Sequence, residues 1–355
     1  AAEGHPADRI HLVGNVMIDT LFSNLERAKS AGVLERLQLD PVSMLAIGAA
    51  RGAIEHAGFT LSAAGARSRN FVISGTDSAR TGAYLGTGIG GAYSFLHNHT
   101  YHLHRRPYAR LQEYAMERAS AQDREELEEI LALIEHGSRY NPFVVSMLMP
   151  NAPSAALGIK FSLTGPNATY CVACASGTVA VGHGYRAVRN GYVDIAMAGG
   201  SEYLYDEHGH IFRGFDIAGT LVRDCADPEF ANRPFDKERS GFLFSQGGAA
   251  VLVLEDLEHA LGRDAPIMAE IIGFAETFDG YSMMSLAPGG EQIERMLRAV
   301  LADSNLEPTD VDYVNAHGTG TRNNDETEAM VIDRVFGKAV PVNSTKSLLG
   351  HTIGA

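Results

Sequence analysis

The chain predicts an α/β protein, a parallel-rich sheet with helices on both faces. Short apolar runs alternate with segments of 3.6-residue hydrophobic period along most of its length. Gly- and Pro-bearing turns separate them, with 38 glycines in 355 residues. A hydrophobic content of 45% leaves enough apolar surface for a large buried core.

Taken in order, Ser43 to Gly58 has the spacing of an amphipathic helix and Gly82 to Gly86 that of a short strand. Gly86-Thr-Gly-Ile-Gly-Gly91 satisfies the G-x-G-x-x-G pattern of dinucleotide sites. The residues from Tyr93 onward read as a His-rich loop rather than the helix of a βαβ unit. A close-packed turn without nucleotide is therefore expected. Ala121 to His136 reads as a helix with acidic and apolar faces. Further strands are expected at 168–172, 193–198, 249–254, 268–274, 311–315 and 340–344, with helices between them.

The most informative segment is Cys171-Val-Ala-Cys174-Ala-Ser-Gly177. An apolar run, Phe161-Ser-Leu-Thr, precedes it and a helical period follows, so the expected order is strand, tight turn, helix with Cys174 at its start. Unpaired amides and the helix dipole there favour an anion, which predicts a thiol biased toward thiolate. Such a thiolate is a nucleophile suited to acyl transfer. Two histidines follow predicted strand ends, His317 in Ala-His-Gly-Thr-Gly-Thr321 and His351, five residues after Lys346. Together they could give a nucleophile and two imidazole donors. His97, His99, His102 and His104 lack ligand spacing and read as loop residues.

Composition narrows the alternatives. The net charge of −14 argues against nucleic acid and against an anionic membrane surface. No apolar run approaches bilayer length. Three cysteines without an even framework suit a reducing, cytoplasmic setting. Cys171 and Cys174 form a C-x-x-C, but no second pair follows, so neither metal nor disulfide is expected. Cys225, in a polar stretch, reads as incidental.

From about Asp40 to Ala355 the chain resembles the elongating β-ketoacyl synthases of the thiolase superfamily. The likeness rests on Gly86–Gly91, Asn98-His-Thr100, Leu163-Thr-Gly-Pro166, Ala198-Gly-Gly-Ser-Glu202, Arg233–Phe242, Ala316–Thr321 and Ser344-Thr-Lys-Ser347, in that order. It implies a thiolase-like α-β-α-β-α fold of two similar halves, with residues 41–265 the first and 266–355 an incomplete second. It also implies decarboxylative condensation of a Cys174-bound acyl group with a malonyl thioester on acyl carrier protein. His317 and His351 would then stabilise the enolate, and Lys346 would pair with Glu328, supported by Asp325. Thr319 and Thr321 would face one channel and hold the phosphopantetheine arm. No metal or organic cofactor is implied, and the partners are acyl carrier protein and a second subunit, identical or ketosynthase-like. Where the family often shows His-x-Thr, this chain has Ser282 and Met284.

Relative to the family pattern, the segment between Asn98 and Asn141 carries an extra helical insert, and its stretch His104-Arg-Arg-Pro-Tyr-Ala-Arg110 is the densest basic patch. The family continues for some sixty residues past the Gly350-His351 region, including a turn that supplies a second oxyanion donor. Residues 4–39 resemble instead a fragment of UDP-N-acetylglucosamine 2-epimerases, through Gly14-Asn-Val-Met-Ile-Asp19. The expectation is thus a synthase truncated at both ends, residues 1–40 being a foreign leader. The rival reading is an impaired remnant acting as an interaction module; nucleotide-sugar epimerisation is the second rival.

Overall fold

The computed structural model describes residues 39–133, 140–223, 225–282 and 285–355. The epimerase-like segment, except Leu39, therefore lies outside the described residues, as do Met284 and the last three residues of the helix expected over 121–136.

Helix α1 (Pro41–His56) begins at Asp40, whose Oδ1 accepts the Val42 N–H at 2.9 Å, with Pro41 at the first helical position. The other oxygen of Asp40 accepts the Ser94 N–H at 2.9 Å, tying α1 to the start of α2 (Ala92–Glu117). Strands β1 (Leu61–Ala63) and β2 (Phe71–Ile73) form a small antiparallel hairpin before β3 (Thr81–Gly86). The insert is a helical hairpin of α2 and α3 (Ala121–Leu133). Helices α4 (Val144–Leu148) and α5 (Ala152–Lys160) lead to β4 (Asn167–Tyr170), α6 (Ser176–Arg189) and β5 (Ile195–Tyr203). Beyond them lie α7 (His210–Ile217), β6 (Gly247–Glu255), α8 (Leu257–Gly262), α9 (Glu291–Ser304), β7 (Val314–Asn315), α10 (Arg322–Phe336), β8 (Val342–Asn343) and α11 (Lys346–Leu349).

The main sheet runs β4-β3-β5-β6, parallel except for the antiparallel β5–β6 pair. Its residues divide with period two between two helical layers. Ala83, Leu85, Ile195, Met197 and Val251 pack under Ala46, Ala49, Ala50 and Ile54 of α1 and Leu157 of α5. Tyr84, Ala196 and Ala198 point the other way, onto Val181, Ala187 and Val188 of α6. Each large aliphatic side chain so buried contributes ~1.5–3 kcal/mol. Strands β7 and β8 pair in parallel, with α9 and α10 packed together through Leu301, Val331 and Val335.

Three expectations are corrected. The residues from Tyr93 onward are helix, so His97, His99, His102 and His104 lie on α2, not in a loop. Phe161–Thr164 is a turn after α5, and the strand before Cys174 is β4. Residues 268–274 form no strand: no ladder partner lies beside them among the described residues, and Ile272 stays exposed. Side-chain contacts hold this segment to α6 instead, with the Arg186 guanidinium 4.8 Å over the Phe274 ring and Glu276 3.2 Å from His183. No described helix is long and apolar enough to cross a membrane.

Candidate active site

Cys174 occupies a sharp turn between β4 and α6. Ala173 sits at φ 51°, the left-handed region that a side chain resists. Buried Ser176 braces it: its hydroxyl donates to the Ala173 carbonyl at 2.6 Å and accepts the Val172 N–H at 2.9 Å. Gly86, closing β3, lies so near that a Cβ there would stand 2.2 Å from the Ser176 carbonyl carbon. The parallel sheet thus presents the cysteine at its carboxyl end, where open α/β sheets place their sites.

His317 follows β7 in a turn held by α10. The amides of His317 and Gly318 donate to the two oxygens of Glu328 at 2.7 and 2.8 Å. Asp325, one turn earlier and buried, accepts the amides of Thr319 (3.0 Å), Gly320 (3.2 Å) and Phe235 (2.7 Å), with Arg239 Nε at 3.4 Å. His351 is fixed by the 243–245 strip, donating its N–H to Leu243 O at 2.9 Å. The Ile353 N–H donates to His351 Nδ1 at 3.1 Å, so the ring's own proton belongs on Nε2.

That Nε2 lies 3.0 Å from Cys174 Sγ. The His317 and His351 rings meet edge-on, centroids 5.5 Å apart, and one donor atom from each of Cys174, His317 and His351 lies within 4.8 Å of the others. The three side chains read from the sequence therefore converge. A soft cation could use the same atoms, although the Nε2–Sγ distance is shorter than the ~3.6 Å that tetrahedral zinc would impose. Lys346 sets a repulsive charge against it.

Burial pushes His317 down to about 4 and His351 to about 3, and Lys346 adds to both shifts, so at neutral pH both rings are uncharged. Two imidazoles in this state can each donate a single N–H. Lys346, at the start of α11, is itself lowered by burial, while Cys174 and Glu328 pull it back up.

Two expectations fail in detail. Crowding by protein atoms pushes the Cys174 thiol above its ordinary value rather than toward thiolate. Desolvation exceeds the help from Lys346 and from the turn's own amide, and Glu202 adds a like charge. The residue as a whole is still exposed, so desolvation acts at the sulfur while one side stays open. Glu328 makes no close ion pair with Lys346: its oxygens are taken by backbone amides, and among the described residues no carboxylate lies within 4.0 Å of that ammonium.

Thr319 and Thr321 bond each other through their hydroxyls at 2.8 Å, with Thr319 buried and Thr321 half-buried. Sequence reasoning passed over Ser176, Asn232 and the role of Glu202. Asn232 donates through Nδ2 to the Lys346 carbonyl, while its buried Oδ1 has no partner among the described residues. A polar residue closing an apolar run, as in Ala198-Gly-Gly-Ser-Glu202, was the available signal.

The G-x-G-x-x-G turn does lead into a helix, yet the carboxylate of Glu202 occupies the amides of Gly88 and Ile89 that a phosphate would need. Behind the cysteine, Gly88, Gly200 and Gly354 meet backbone to backbone. A Cβ on Gly200 would lie 2.6 Å from Gly354 O, and one on Gly354 2.2 Å from Gly88 N. On the other side, Phe242 meets the His351 ring edge-on at 5.1 Å and also lines a cavity of about 440 Å³. Leu204, Phe212, Leu221 and Phe244 make the rest of its wall mainly apolar.

A layered sheet with a turn cysteine facing two neutral imidazoles defines the thiolase-like class. Solved structures agree. A β-ketoacyl synthase from Burkholderia phymatum superposes with a TM-score of 0.68 at 30% identity, over 90% of this chain and 66% of that one. A type II polyketide ketosynthase, solved in complex with its acyl carrier protein, gives 0.67 at 25% identity, over 87% and 67%.

The chain belongs to the β-ketoacyl synthase family: the family's N-terminal domain matches residues 17–260 and its C-terminal domain residues 268–355. The first match begins inside the segment likened above to an epimerase. A 3-oxoacyl-acyl-carrier-protein synthase 2 of Synechocystis sp. is 39% identical over 226 residues, 62% of this chain and 54% of that protein. The Staphylococcus aureus enzyme of the same name is 31% identical over 349 residues, covering 98% and 72%.

Proposed function

We propose that this chain carries the condensing centre of a β-ketoacyl–acyl carrier protein synthase, working in fatty acid or polyketide chain elongation. The observation that carries the reading is the 3.0 Å approach of His351 Nε2 to Cys174 Sγ, with His317 beside them. Cys174 gives up its proton and attacks an acyl thioester; the C–S bond to Cys174 forms and the carrier thiol leaves with a proton. A malonyl thioester then loses carbon dioxide, and its carbonyl oxygen takes up the enolate charge. His351 and His317 each donate one N–H to that oxygen as its charge develops. The enolate carbon attacks the acyl-cysteine, a C–C bond forms, and the Cys174 thiolate is released.

Lys346 lowers the thiol against its desolvation and adds to the burial that keeps both rings neutral. Glu328 and Asp325 shape the His317 turn, Thr321 and Thr319 line the carrier-arm side, and the cavity behind Phe242 receives the acyl chain. No group outside the protein and its thioesters is needed. The two family matches, ending at 260 and beginning at 268, support a division near residue 265.

Acyl carrier protein is the proposed substrate partner, and Arg105, Arg106 and Arg110 on α2 offer an exposed basic stretch to its acidic surface. Strand β4 ends the described sheet, which supports a second subunit, identical or ketosynthase-like, at that edge. The test is mass spectrometry of the Cys174 peptide after exposure to an acyl thioester, followed by malonyl thioester and assay of carbon dioxide and β-ketoacyl product. Acylation lost in Cys174→Ala supports the reading. Neither acylation nor decarboxylation would leave the alternative, an interaction module built on the same fold.

A further inference from the structure

Glu202 is fully buried at the end of β5, and four donors converge on it. Oε1 accepts the Thr87 hydroxyl at 3.0 Å and the Ile89 N–H at 3.2 Å; Oε2 accepts the Gly88 N–H at 2.5 Å and the Gly354 N–H at 3.1 Å. No cation lies within 4.0 Å of it among the described residues. Burial alone raises its pKa, and the four donors work against that rise. A charge kept in a buried place by neutral donors is costly unless each donor stays in position.

What those donors belong to gives the carboxylate its use. Gly354 follows Ile353, a β-branched residue held at φ 58° and buried. Such a conformation costs roughly 1–2 kcal/mol and persists only when its neighbours enforce it. The same Ile353 N–H bonds His351 Nδ1. The Thr87–Ile89 turn, on the other side of the carboxylate, touches the cysteine segment through Gly88 O, 3.4 Å from Cys171 Sγ.

We infer that Glu202 is a positioning residue: its carboxylate clamps the Ile353–Gly354 turn to the Thr87–Ile89 turn and so fixes His351 as the Nε2–H tautomer facing Cys174. The inference rests on the condensing function proposed above. It acts through His351 and touches no substrate. Removing it frees the 353–354 turn, releases the amide from Nδ1 and lets the ring proton redistribute. Acyl loading, which needs the sulfur, is spared. Decarboxylation, which needs the donor, suffers.

Glu202→Gln keeps the shape but turns an NH₂ toward two of the four donors. The experiment reads three things in that variant and in the natural protein: acyl loading of Cys174 by mass, malonyl-thioester decarboxylation, and the ¹⁵N imidazole signals of His351. The expected result is acyl loading within about threefold, decarboxylation down by ~10²–10³, and loss of the pure Nε2–H signature. Unchanged decarboxylation, or an unaltered His351 tautomer in a folded variant, would overturn the inference. Should Glu202→Gln not fold, Thr87→Val removes one donor of four, and the same tautomer shift must appear in smaller degree; its absence has the same force. The tautomer signal needs no turnover, so it decides the clamp even if the natural protein neither acylates nor decarboxylates, which would sink the functional reading alone.

Discussion

Replacing His351 by Gln should flatten the loss of stability that the protein suffers on acidification. In the folded state the His317 ring protonates only near about 4 and the His351 ring near about 3, against an ordinary value of 6.5. Both folded values are depressed for a base, so the unfolded chain binds the extra protons. The stabilising contribution is whole above pH 6.5 and drains away as pH falls toward the folded values. One histidine contributes a slope of ~1.4 kcal/mol per pH unit, or about 3 kcal/mol between pH 6.5 and 4. Asp40 works in the opposite sense: burial lifts its folded pKa from 3.8 to about 6, so its contribution is greatest below 3.8 and lost as pH rises through 6. It is common to both proteins and cancels in the difference. Urea unfolding of the natural protein and His351→Gln at steps between about pH 4.5 and 7.5 gives that difference directly. The variant should gain ~1.4 kcal/mol relative to the natural protein for each unit below 6.5. Parallel curves would mean that His351 titrates in the folded state as it does in the unfolded one, and the neutral-donor argument would be refuted.

Lys346→Met should raise the pH midpoint of Cys174 alkylation further above the ordinary thiol value, because a cation that offsets desolvation is gone; the rate of peptide modification against pH measures it, and an unmoved midpoint would contradict the electrostatic account. Asp325→Ala strands three amides and Arg239, and should cost ~3–5 kcal/mol in urea unfolding, the range for breaking a buried charged pair. A loss below about 1 kcal/mol would place that carboxylate outside the group of structural supports.

The strongest sequence signals came from residues whose surroundings are local. The cysteine turn, the His317 turn and the helix carrying Asp325 and Glu328 are held largely by neighbours within a dozen positions, and spacing is enough to find them; the His351 turn is legible by its motif although Leu243 and Glu202, which hold it, lie more than 100 positions away. The state of the thiol was not legible, because it depends on a contest between desolvation, Lys346 and Glu202 that only three-dimensional crowding decides. Glu202 stayed hidden for the same reason, its four partners lying more than 110 positions away along the chain. The histidine-rich stretch reads as loop from its polar side chains, but packing of α2 on α3 and α4 outweighs their weak helix preference. The apolar period at 268–274 suggested a strand, but a strand exists only with a neighbour to bond.

Gly354 sits against main chain on two sides, a Cβ there meeting Gly88 N and a Cβ on Gly200 meeting Gly354 O. Efforts to breed new substrate preferences into this protein would find no adjustable surface at Gly200 or Gly354, since even a methyl group there collides with peptide atoms. Diversity has more room on the aromatic flank, at Phe212, Phe242 and Phe244, which line the cavity. A saturation library should therefore show a lopsided cleft, permissive on one wall and nearly silent on the other.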